Sequence, residues 1–518
     1  MPSAPTANPW SWIDDLVIAA AAIALCLVYL ATSPGDFPLD DSWIHQTYAR
    51  NLAQYGQWSF VPGELSAAST SPLYTVVLTI GYWLNVPFRV WTHGVGIVAL
   101  ALTGIIGARL SRRLLPGSKI SHYLVGLALI TSWHLIWSAV SGMETVLFNL
   151  FTLLAIAWAW RELFPPTSET LRAVALRGAV FGLIGALTVL TRAEGVVLIA
   201  LLGIGLIPAR PGRSWMGLVI YGSTALLVFA LTLTPYVVLN LQLTGGLLPD
   251  TAAAKRAYAA PLFATPYLYR VGLMLEPLIA GGQLLLLPGL LSYVVLSLRR
   301  RGALLIFLSI AWSAALIVVY AAVLPLNFQH GRYVIPALPV IILFGTIGTI
   351  GLVRIGRHWL ITRVLTRTLA LTAAAVFTLF AFGLGLNAYR QDVQIIEEEM
   401  VAAALWLRDH VPPTDLLAIH DIGAVGYFAP RPLLDVAGLI SPEVVPFVGD
   451  PDGLWRLIET SGARYLMGLE DQVPGGDRSD ARLCLVYTSG KETARRAGGS
   501  NMSIYALDFG DGCRLLPP

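Results

Sequence analysis

Charged side chains are scarce in this sequence. Only 13% of its 518 residues are Asp, Glu, Lys or Arg, whereas soluble globular domains carry about 25%. Hydrophobic residues make up 56% of the chain, and the mean hydropathy is +0.68. So little charge excludes a protein dominated by a water-facing surface. The many apolar stretches reach the roughly 20 residues that a bilayer-crossing helix needs, which predicts a polytopic membrane protein.

Cysteine is also rare, with three residues in the chain. Cys26 lies in the first apolar stretch, whereas Cys484 and Cys513 lie in the polar tail. If that tail is outside the cytoplasm, Cys484 and Cys513 can form a disulfide, and two free thiols are the alternative. The net charge of +3 is small, and we predict no nucleic-acid partner.

The first residues lack the basic region of a cleaved signal peptide. Residues 1–15 contain no Lys or Arg, and the apolar run 16–31 has no clear small-residue cleavage site. We therefore expect this run to be the first membrane span.

Eleven apolar stretches read as spans, and a twelfth is short. The spans are 16–31, 93–111, 120–139, 144–161, 178–190, 195–208, 216–236, 271–297, 303–323, 334–352 and 368–388. The short stretch, 72–85, would reach only about 21 Å as a helix, less than the roughly 30 Å of a bilayer core. With 72–85 as an interfacial helix, most loop Lys and Arg fall on one side, as the positive-inside rule requires. This arrangement predicts a cytoplasmic amino terminus and an extracytoplasmic carboxyl terminus.

Two domains follow from the change in composition after Leu386. We predict a mainly α-helical membrane module over 1–388, with a first outer loop at 32–92, and a small α/β domain over 389–518. Within the second domain, strand-like runs alternate with helical patterns. The strands are predicted at 416–421, 432–436, 464–469, 482–488 and 503–509, and the helices at 395–410 and 454–460. Its His420-Asp421-Ile-Gly segment is open to a functional interpretation, but a loop that merely closes a strand is the alternative.

Two adjacent acids, Asp40 and Asp41, open a short polar helical pattern in the first outer loop. A positioned carboxylate can act as a general base towards a sugar hydroxyl. The alternative is that one of them only caps the following helix, predicted at 42–54.

Further ionisable residues lie in the other outer loops. Glu144 begins a span, where it can simply complement the helix dipole, and Arg192 and Glu194 share a turn, where they can simply pair with each other. The cationic residues Lys255, Arg256, His330 and Arg332 are suited to binding a phosphate, and snorkelling to lipid head groups is their alternative. Tyr333 follows Arg332, and an interfacial aromatic position is its alternative.

The sequence resembles the bacterial GT-C glycosyltransferases, in particular the arabinofuranosyltransferase-like and protein-mannosyltransferase-like branch. Short motifs recur in the expected order over nearly the whole chain. They are residues 40–52, 61–64, 70–73, 141–145, 190–195, 247–251 with Lys255, Arg332–Tyr333 followed by Pro336, and 419–427. The chain departs from relatives at Ala193 and Asp250, where Pro and Asn are common, and His45 and Gln46 are unusual in their helix.

The resemblance implies transfer of a hexosyl or pentosyl unit, with inversion, from a polyprenyl-phosphate donor to a glycan, lipid or protein acceptor. It implies a location in the cytoplasmic membrane of a prokaryote, among membrane lipids, with the reaction on the outer face. Asp40 or Asp41, with Asp40 preferred, would be the general base, and Glu144 would support it. Lys255, Arg256, His330, Arg332 and Tyr333 would hold the donor phosphate, and His45, Tyr48, Arg192 and Glu194 would contact substrate. No metal-ligand spacing demands a cofactor, although two neighbouring acids are compatible with a divalent cation.

Two other functions remain open from the sequence. One is a transporter or flippase for a lipid-linked or anionic solute, and the other is an inactive relative that binds polyprenyl lipid as a scaffold. A transporter needs polar groups near mid-span, but the spans 216–236 and 368–388 are nearly free of charge. This distribution favours the enzyme.

Overall fold

The computed structural model describes residues 11–115, 120–165, 169–246, 251–300 and 302–510. Two sequence expectations fall at least partly outside these ranges. Cys513, which could pair with Cys484 or stay a free thiol, and Asp250, one of the departures from relatives, both lie outside the described residues.

The described chain is mainly α-helical. Its α-helices are α1 Ser11–Thr32, α2 Asp41–Tyr55, α3 Pro72–Trp83, α4 Phe88–Leu114, α5 Ser121–Ile130, α6 Trp133–Val140, α7 Thr145–Glu162, α8 Leu171–Thr191, α9 Gly195–Leu206, α10 Trp215–Thr244, α11 Thr251–Tyr258, α12 Ala260–Phe263, α13 Tyr267–Ile279, α14 Leu287–Ser297, α15 Ala303–Val323, α16 Leu338–Ile355, α17 Leu360–Leu379, α18 Gly385–Ile396, α19 Ala402–His410, α20 Gly423–Phe428, α21 Pro451–Ser461 and α22 Glu492–Arg496. The 3-10 turns include Gln283–Leu286, Gln329–Gly331 and Pro442–Phe447, and π-helical turns occupy Phe380–Leu384 and Glu397–Val401.

Eight helical runs among the described residues are long and apolar enough to cross a membrane, or up to ten if each of two bent pairs is one span. The chain is therefore a multi-pass membrane protein. The eight are Trp12–Thr32, Phe88–Leu114, Leu171–Thr191, Gly195–Arg213, Trp215–Thr244, Ala303–Val323, Gln329–His358 and Leu360–His410. The remaining predicted span, 144–161, is the 18-residue helix α7, which ends in Arg161 and Glu162 and is outside this set. The number eleven stays a prediction.

The two bent pairs differ in how sharply they turn, and the sharper bend contains residues that interrupt a helix. α5 and α6 meet at 53°, and α13 meets the run Gln283–Ser297 at 88°. Pro277 lies inside α13, and Gly282 follows it with a φ of +76°, a left-handed conformation that favours glycine. The second bend turns the chain sharply before it re-enters the bundle.

The short stretch 72–85 forms the helix α3, which is 12 residues long. At about 18 Å it is too short to span a bilayer, in agreement with the sequence prediction. Trp91 of α4 donates a hydrogen bond from its indole to the Val77 carbonyl at 2.8 Å, which ties α3 to the next span. His45 of α2 packs edge to face on Tyr74, with ring centroids 5.4 Å apart.

The carboxyl-terminal residues form a five-stranded mixed sheet, as the sequence predicts. Its strands, after the hairpin β1 Ser59–Val61 and β2 Glu64–Leu65, are β3 Leu417–Ile419, β4 Leu433–Asp435, β5 Tyr465–Gly468, β6 Leu483–Thr488 and β7 Ser503–Leu507. The order is β4-β3-β5-β7-β6, with β3 parallel to β4 and β5, and β7 antiparallel to β5 and β6. The helical run Leu360–His410 leads into this domain and contains the predicted boundary at 388.

The first outer loop and the carboxyl-terminal domain share one hydrophobic core. Trp43 of α2 packs against Tyr427 and Phe428, with ring centroids 4.9 Å and 4.6 Å apart. Arg50 donates hydrogen bonds to the Gly426 and Tyr427 carbonyls at 3.0 Å and 2.7 Å. The carboxyl-terminal domain therefore packs directly against α2.

Candidate active site

A cavity of about 290 Å³ lies where the first outer loop, four membrane helices and the carboxyl-terminal domain meet. Its polar lining contains eight of the twelve residues predicted for the site. They are Asp41, His45, Glu144, Arg192, Glu194, Lys255, Arg332 and Tyr333. The other four, Asp40, Tyr48, Arg256 and His330, lie outside the lining.

Asp41 and Arg332 form an ion pair at the cavity wall. Arg332 Nη1 lies 2.5 Å from Asp41 Oδ2, and the Asp41 side chain is 31% exposed while that of Arg332 is 9% exposed. Burial acts to raise the pKa of Asp41, but the charges of Arg332 and Lys255 outweigh it and lower that pKa below its usual value. Asp41 is thus held as a carboxylate that faces the cavity.

Lys255 is the second cation near Asp41. Its Nζ lies 5.9 Å from the centre of the Tyr333 ring, and Arg332 lies 5.2 Å from the same ring while donating to the Tyr333 hydroxyl at 3.3 Å. Among the described residues, no carboxylate lies within ion-pair distance of Lys255. A ligand that brings negative charge would find two cations here, Lys255 and the Arg332 that is shared with Asp41.

A second charged network lines the same cavity. Arg192 donates to Glu144 at 3.0 Å and to Glu194 at 2.5 Å, and Tyr320 donates to Glu194 at 3.0 Å. His45 Nε2 lies 3.4 Å from Glu144 Oε2. Arg192 and Glu194 therefore pair with each other, which is the alternative given in the sequence analysis. Arg192 also binds Glu144 at the cavity.

Asp40 is directed away from the cavity into the domain interface. Its carboxylate accepts hydrogen bonds from the backbone N–H groups of Gly423 and Ala424 at 2.6 Å and 2.8 Å. Burial, and then the nearby charge of Asp421, raise the pKa of Asp40. A Cβ on Gly423 would lie 2.0 Å from the Asp40 carbonyl oxygen, so only glycine allows this close approach. Asp40 as the base stays a prediction, and each of its oxygens accepts one backbone hydrogen bond at the interface.

The other three residues outside the lining have distinct surroundings. Tyr48 is fully buried, and its hydroxyl bonds Ser66 at 2.6 Å and accepts from the N–H of Ala68, a lining residue. Arg256 lies against the Phe263 ring at 5.9 Å. His330 Nε2 lies 2.7 Å from Asp392 Oδ2. Tyr48 therefore shapes the loop, whereas Arg256 and His330 are turned from the cavity.

The His420-Asp421 segment is a structural element of the interface. His420 Nδ1 lies 3.1 Å from Asp421 Oδ1, and Gln472 donates to Asp421 Oδ2 at 2.8 Å. Burial acts to lower the pKa of His420, but the hydrogen bond and charge of Asp421 outweigh it and raise that pKa. After Ile422 the segment leads into the turn in which the N–H groups of Gly423 and Ala424 bind Asp40.

Several lining residues were not among those predicted. Leu439 reaches the cavity from the carboxyl-terminal domain, and Asp435 orders its loop by accepting from the N–H groups of Ala437, Leu439 and Ile440 at 2.9 Å, 2.5 Å and 2.8 Å. Tyr320 lies near the end of the apolar helix α15. The only feature of the sequence that could have indicated Tyr320 is its polar hydroxyl at the end of a span. No feature of the sequence indicates that Leu439 lines the cavity.

The predicted compatibility with a divalent cation has no assembled ligand set to support it. In the ranges that the structure covers, no group of three or more His, Cys, Asp or Glu side chains could hold a metal ion.

Comparisons with known proteins agree on the architecture. A search of curated protein sequences finds no match, and residues 386–505 match the model of a domain of unknown function, DUF8728. The structure resembles ArnT from Cupriavidus metallidurans in the apo state, with 14% identity and a TM-score of 0.61 over 96% of this chain and 97% of that one. The form of ArnT bound to undecaprenyl phosphate gives a TM-score of 0.58, 14% identity and coverages of 98% and 100%.

Two further structures share the fold. The oligosaccharyltransferase AglB from Archaeoglobus fulgidus, in complex with an inhibitory peptide and a dolichol-phosphate, has 12% identity and a TM-score of 0.55 over 98% of this chain and 75% of that one. The arabinofuranosyltransferase AftD from Mycobacteria has 17% identity and a TM-score of 0.54 over 98% of this chain and 40% of that one. ArnT, AglB and AftD are all glycosyltransferases of the GT-C superfamily. The chain therefore shares the fold of these structures over nearly its whole length.

Proposed function

We propose that this protein is a glycosyltransferase that moves a sugar from a polyprenyl-phosphate donor to an acceptor hydroxyl. The observation that carries the proposal is one cavity in which the Asp41 carboxylate meets two cations, Arg332 and Lys255. The GT-C fold, found in structures bound to undecaprenyl phosphate and dolichol-phosphate, supports it.

The cavity also has an apolar wall next to its charges. Leu190, Leu233, Val237 and Leu324 line it together with the charged residues. Leu233 and Val237 belong to α10, and only 11% of the residues in the apolar part of this helix are buried. This wall therefore lies next to the lipid-facing surface. An isoprenoid phosphate needs both an apolar path for its chain and cations for its head, and this cavity offers the two side by side.

Asp41 is the proposed general base. It takes the proton of the acceptor hydroxyl as that oxygen forms a bond to the anomeric carbon, and the bond from this carbon to the phosphate oxygen breaks. The electron pair leaves with the polyprenyl phosphate, whose added negative charge Arg332 and Lys255 stabilise. Attack from the face opposite the phosphate inverts the anomeric centre. His45 and Glu144, which contact each other in the cavity lining, position the acceptor, and Arg192, which also pairs with Glu194, holds Glu144 in place.

We further propose that the reaction takes place on the outer face of the cytoplasmic membrane of a prokaryote. The opposite end of the bundle carries Arg109, which donates to Asp15 of α1 at 3.2 Å, and the basic residue Arg112. Basic residues mark cytoplasmic ends, which leaves the cavity and the carboxyl-terminal domain outside.

The test is transfer by the full-length protein reconstituted in liposomes with undecaprenyl-phosphate sugars. We expect release of undecaprenyl phosphate together with a glycosylated acceptor, and loss of both in Asp41→Asn. Asp15→Asn, at the far end of the bundle, is the matched control and should retain transfer. Flux of solute or lipid without any transfer would contradict the proposal and support a transporter.

A further inference from the structure

Three consecutive residues directly before Arg332 have left-handed backbone conformations. The φ angles of Gln329, His330 and Gly331 are +52°, +60° and +71°. Residues with a side chain seldom adopt this conformation, and such strain persists only where surrounding contacts impose it. A contact must therefore hold the turn that leads into Arg332.

The His330 ring supplies this contact. Its Nε2 lies 2.7 Å from Asp392 Oδ2 of α18, and the Trp137 indole donates to the same oxygen at 2.9 Å. The ring also lies edge to face against Trp133 and Trp137, with centroids 5.0 Å and 5.5 Å away. The imidazole is thus fixed from two helices, α6 and α18.

Glycine at 331 makes the turn tight. A Cβ there would lie 2.1 Å from Pro277 Cγ, so the turn is closed against α13 on one side and fastened to Asp392 on the other. Two residues after His330, Arg332 reaches Asp41, and Tyr333 lines the cavity.

We propose that the His330–Asp392 pair is a latch that positions Arg332 and Tyr333 for the donor phosphate. The inference rests on the proposed function and adds a residue, Asp392, to its machinery. Asp392 does not line the cavity, so it is a positioning residue that acts through the strained turn. It also gives His330 a role other than the predicted contact with phosphate.

The experiment measures binding of undecaprenyl phosphate to the full-length protein in lipid nanodiscs. Asp392→Leu removes the acceptor of both His330 and Trp137, and we expect about ten- to hundredfold weaker binding, as when one charge-assisted contact to the ligand is lost. Asp392→Asn keeps a carbonyl oxygen at this position and should restore most of the affinity. Asp409→Leu is the matched control, because Asp409 lies on the same helical run but is exposed beside Arg408; it should bind as the wild type does.

A double variant separates a latch from general damage. If Asp392 acts through Arg332, the change Asp392→Leu should weaken binding less in an Arg332→Ala background than in the wild type. Additive losses, or an equal loss in Asp409→Leu, would overturn the latch.

A structural readout decides the latch independently of lipid binding. In a cryo-EM structure of Asp392→Leu, we expect the Arg332–Asp41 contact to be lost. If that contact persists, the latch is wrong. If the wild type binds no undecaprenyl phosphate, the proposed function fails, and the Arg332–Asp41 contact still decides the latch.

Discussion

The ion pair between Asp41 and Arg332 makes a prediction in which two measurements move in opposite directions. In Asp41→Asn the cavity loses its proposed base, but Arg332 loses the carboxylate that competes with a phosphate for its guanidinium. We therefore expect slower transfer and tighter binding of undecaprenyl phosphate in the same protein. A variant that is simply misfolded would lose both.

The magnitudes follow from the geometry. A positioned general base contributes about 10²- to 10⁴-fold to a rate, so transfer should fall by about that factor. The contact of Arg332 Nη1 with Asp41 Oδ2, at 2.5 Å, is an ion pair, and close charge pairs couple with about 1.5 kcal/mol or more. Part of this energy is regained from the Asn amide oxygen, which leaves about tenfold tighter binding of the lipid phosphate.

The pH dependence has a defined sign. The charges of Arg332 and Lys255 hold the pKa of Asp41 below its usual value, about 3.9. A depressed pKa stabilises the folded protein above the unfolded pKa, and this contribution is lost as the pH falls through the folded one. Between pH 5 and 8 the carboxylate stays ionised, so ionisation of Asp41 should not change affinity or rate there.

The assays are lipid binding in nanodiscs and transfer of a labelled sugar, both on wild type and Asp41→Asn. Weaker binding of undecaprenyl phosphate by Asp41→Asn would refute the competition between carboxylate and phosphate. Undiminished transfer would refute Asp41 as the base.

Three further predictions test the neighbouring residues. Lys255→Ala should weaken binding of undecaprenyl phosphate about tenfold. Arg256→Ala, at the adjacent position but against Phe263, should leave binding unchanged. Equal losses of affinity in the two variants would contradict a specific role of Lys255. Asp40→Ala should lower thermal stability at pH 5, since two buried N–H groups lose their acceptor at about 1–3 kcal/mol each. Because burial raises the pKa of Asp40, the contribution of Asp40 to the stability of the wild type falls as the pH rises above about 3.9. The difference in melting temperature between the wild type and Asp40→Ala should therefore become smaller. A difference that grows with pH in thermal melts would contradict this. Gly423→Ala places a Cβ 2.0 Å from the Asp40 carbonyl oxygen. We therefore expect about 1–3 kcal/mol of destabilisation and faster proteolysis of the chain after α19. An unchanged proteolysis rate would contradict the close packing of the two domains.

Much of the architecture could be predicted because it follows from local patterns. A long apolar run must become a helix in a bilayer, since no water is present to satisfy its backbone. The short run 72–85 could be set apart by its length and by the distribution of Lys and Arg. The strands of the carboxyl-terminal domain were predictable because apolar runs with turn residues at both ends recur there. The eight predicted residues that line the cavity came from loops that the charge distribution placed on one side of the bundle.

The choice between Asp40 and Asp41 was beyond the sequence. The two are adjacent, and only the docking of Gly423 and Ala424, more than 380 positions away, shows which carboxylate is engaged at the interface. The same holds for His330, because its partner Asp392 lies on a helix that the sequence does not connect to the turn at 329–331.

The sequence by itself determined that the chain is a multi-pass membrane protein with a small α/β domain, because hydropathy and periodicity are properties of neighbouring residues. The tertiary structure alone decided that Asp41, Lys255 and Arg332 share a cavity, that Asp40 binds the two domains together, and that Leu439 and Tyr320 complete the wall. The physical reason is that a side chain's direction and its partner depend on packing between distant segments, which no local pattern contains.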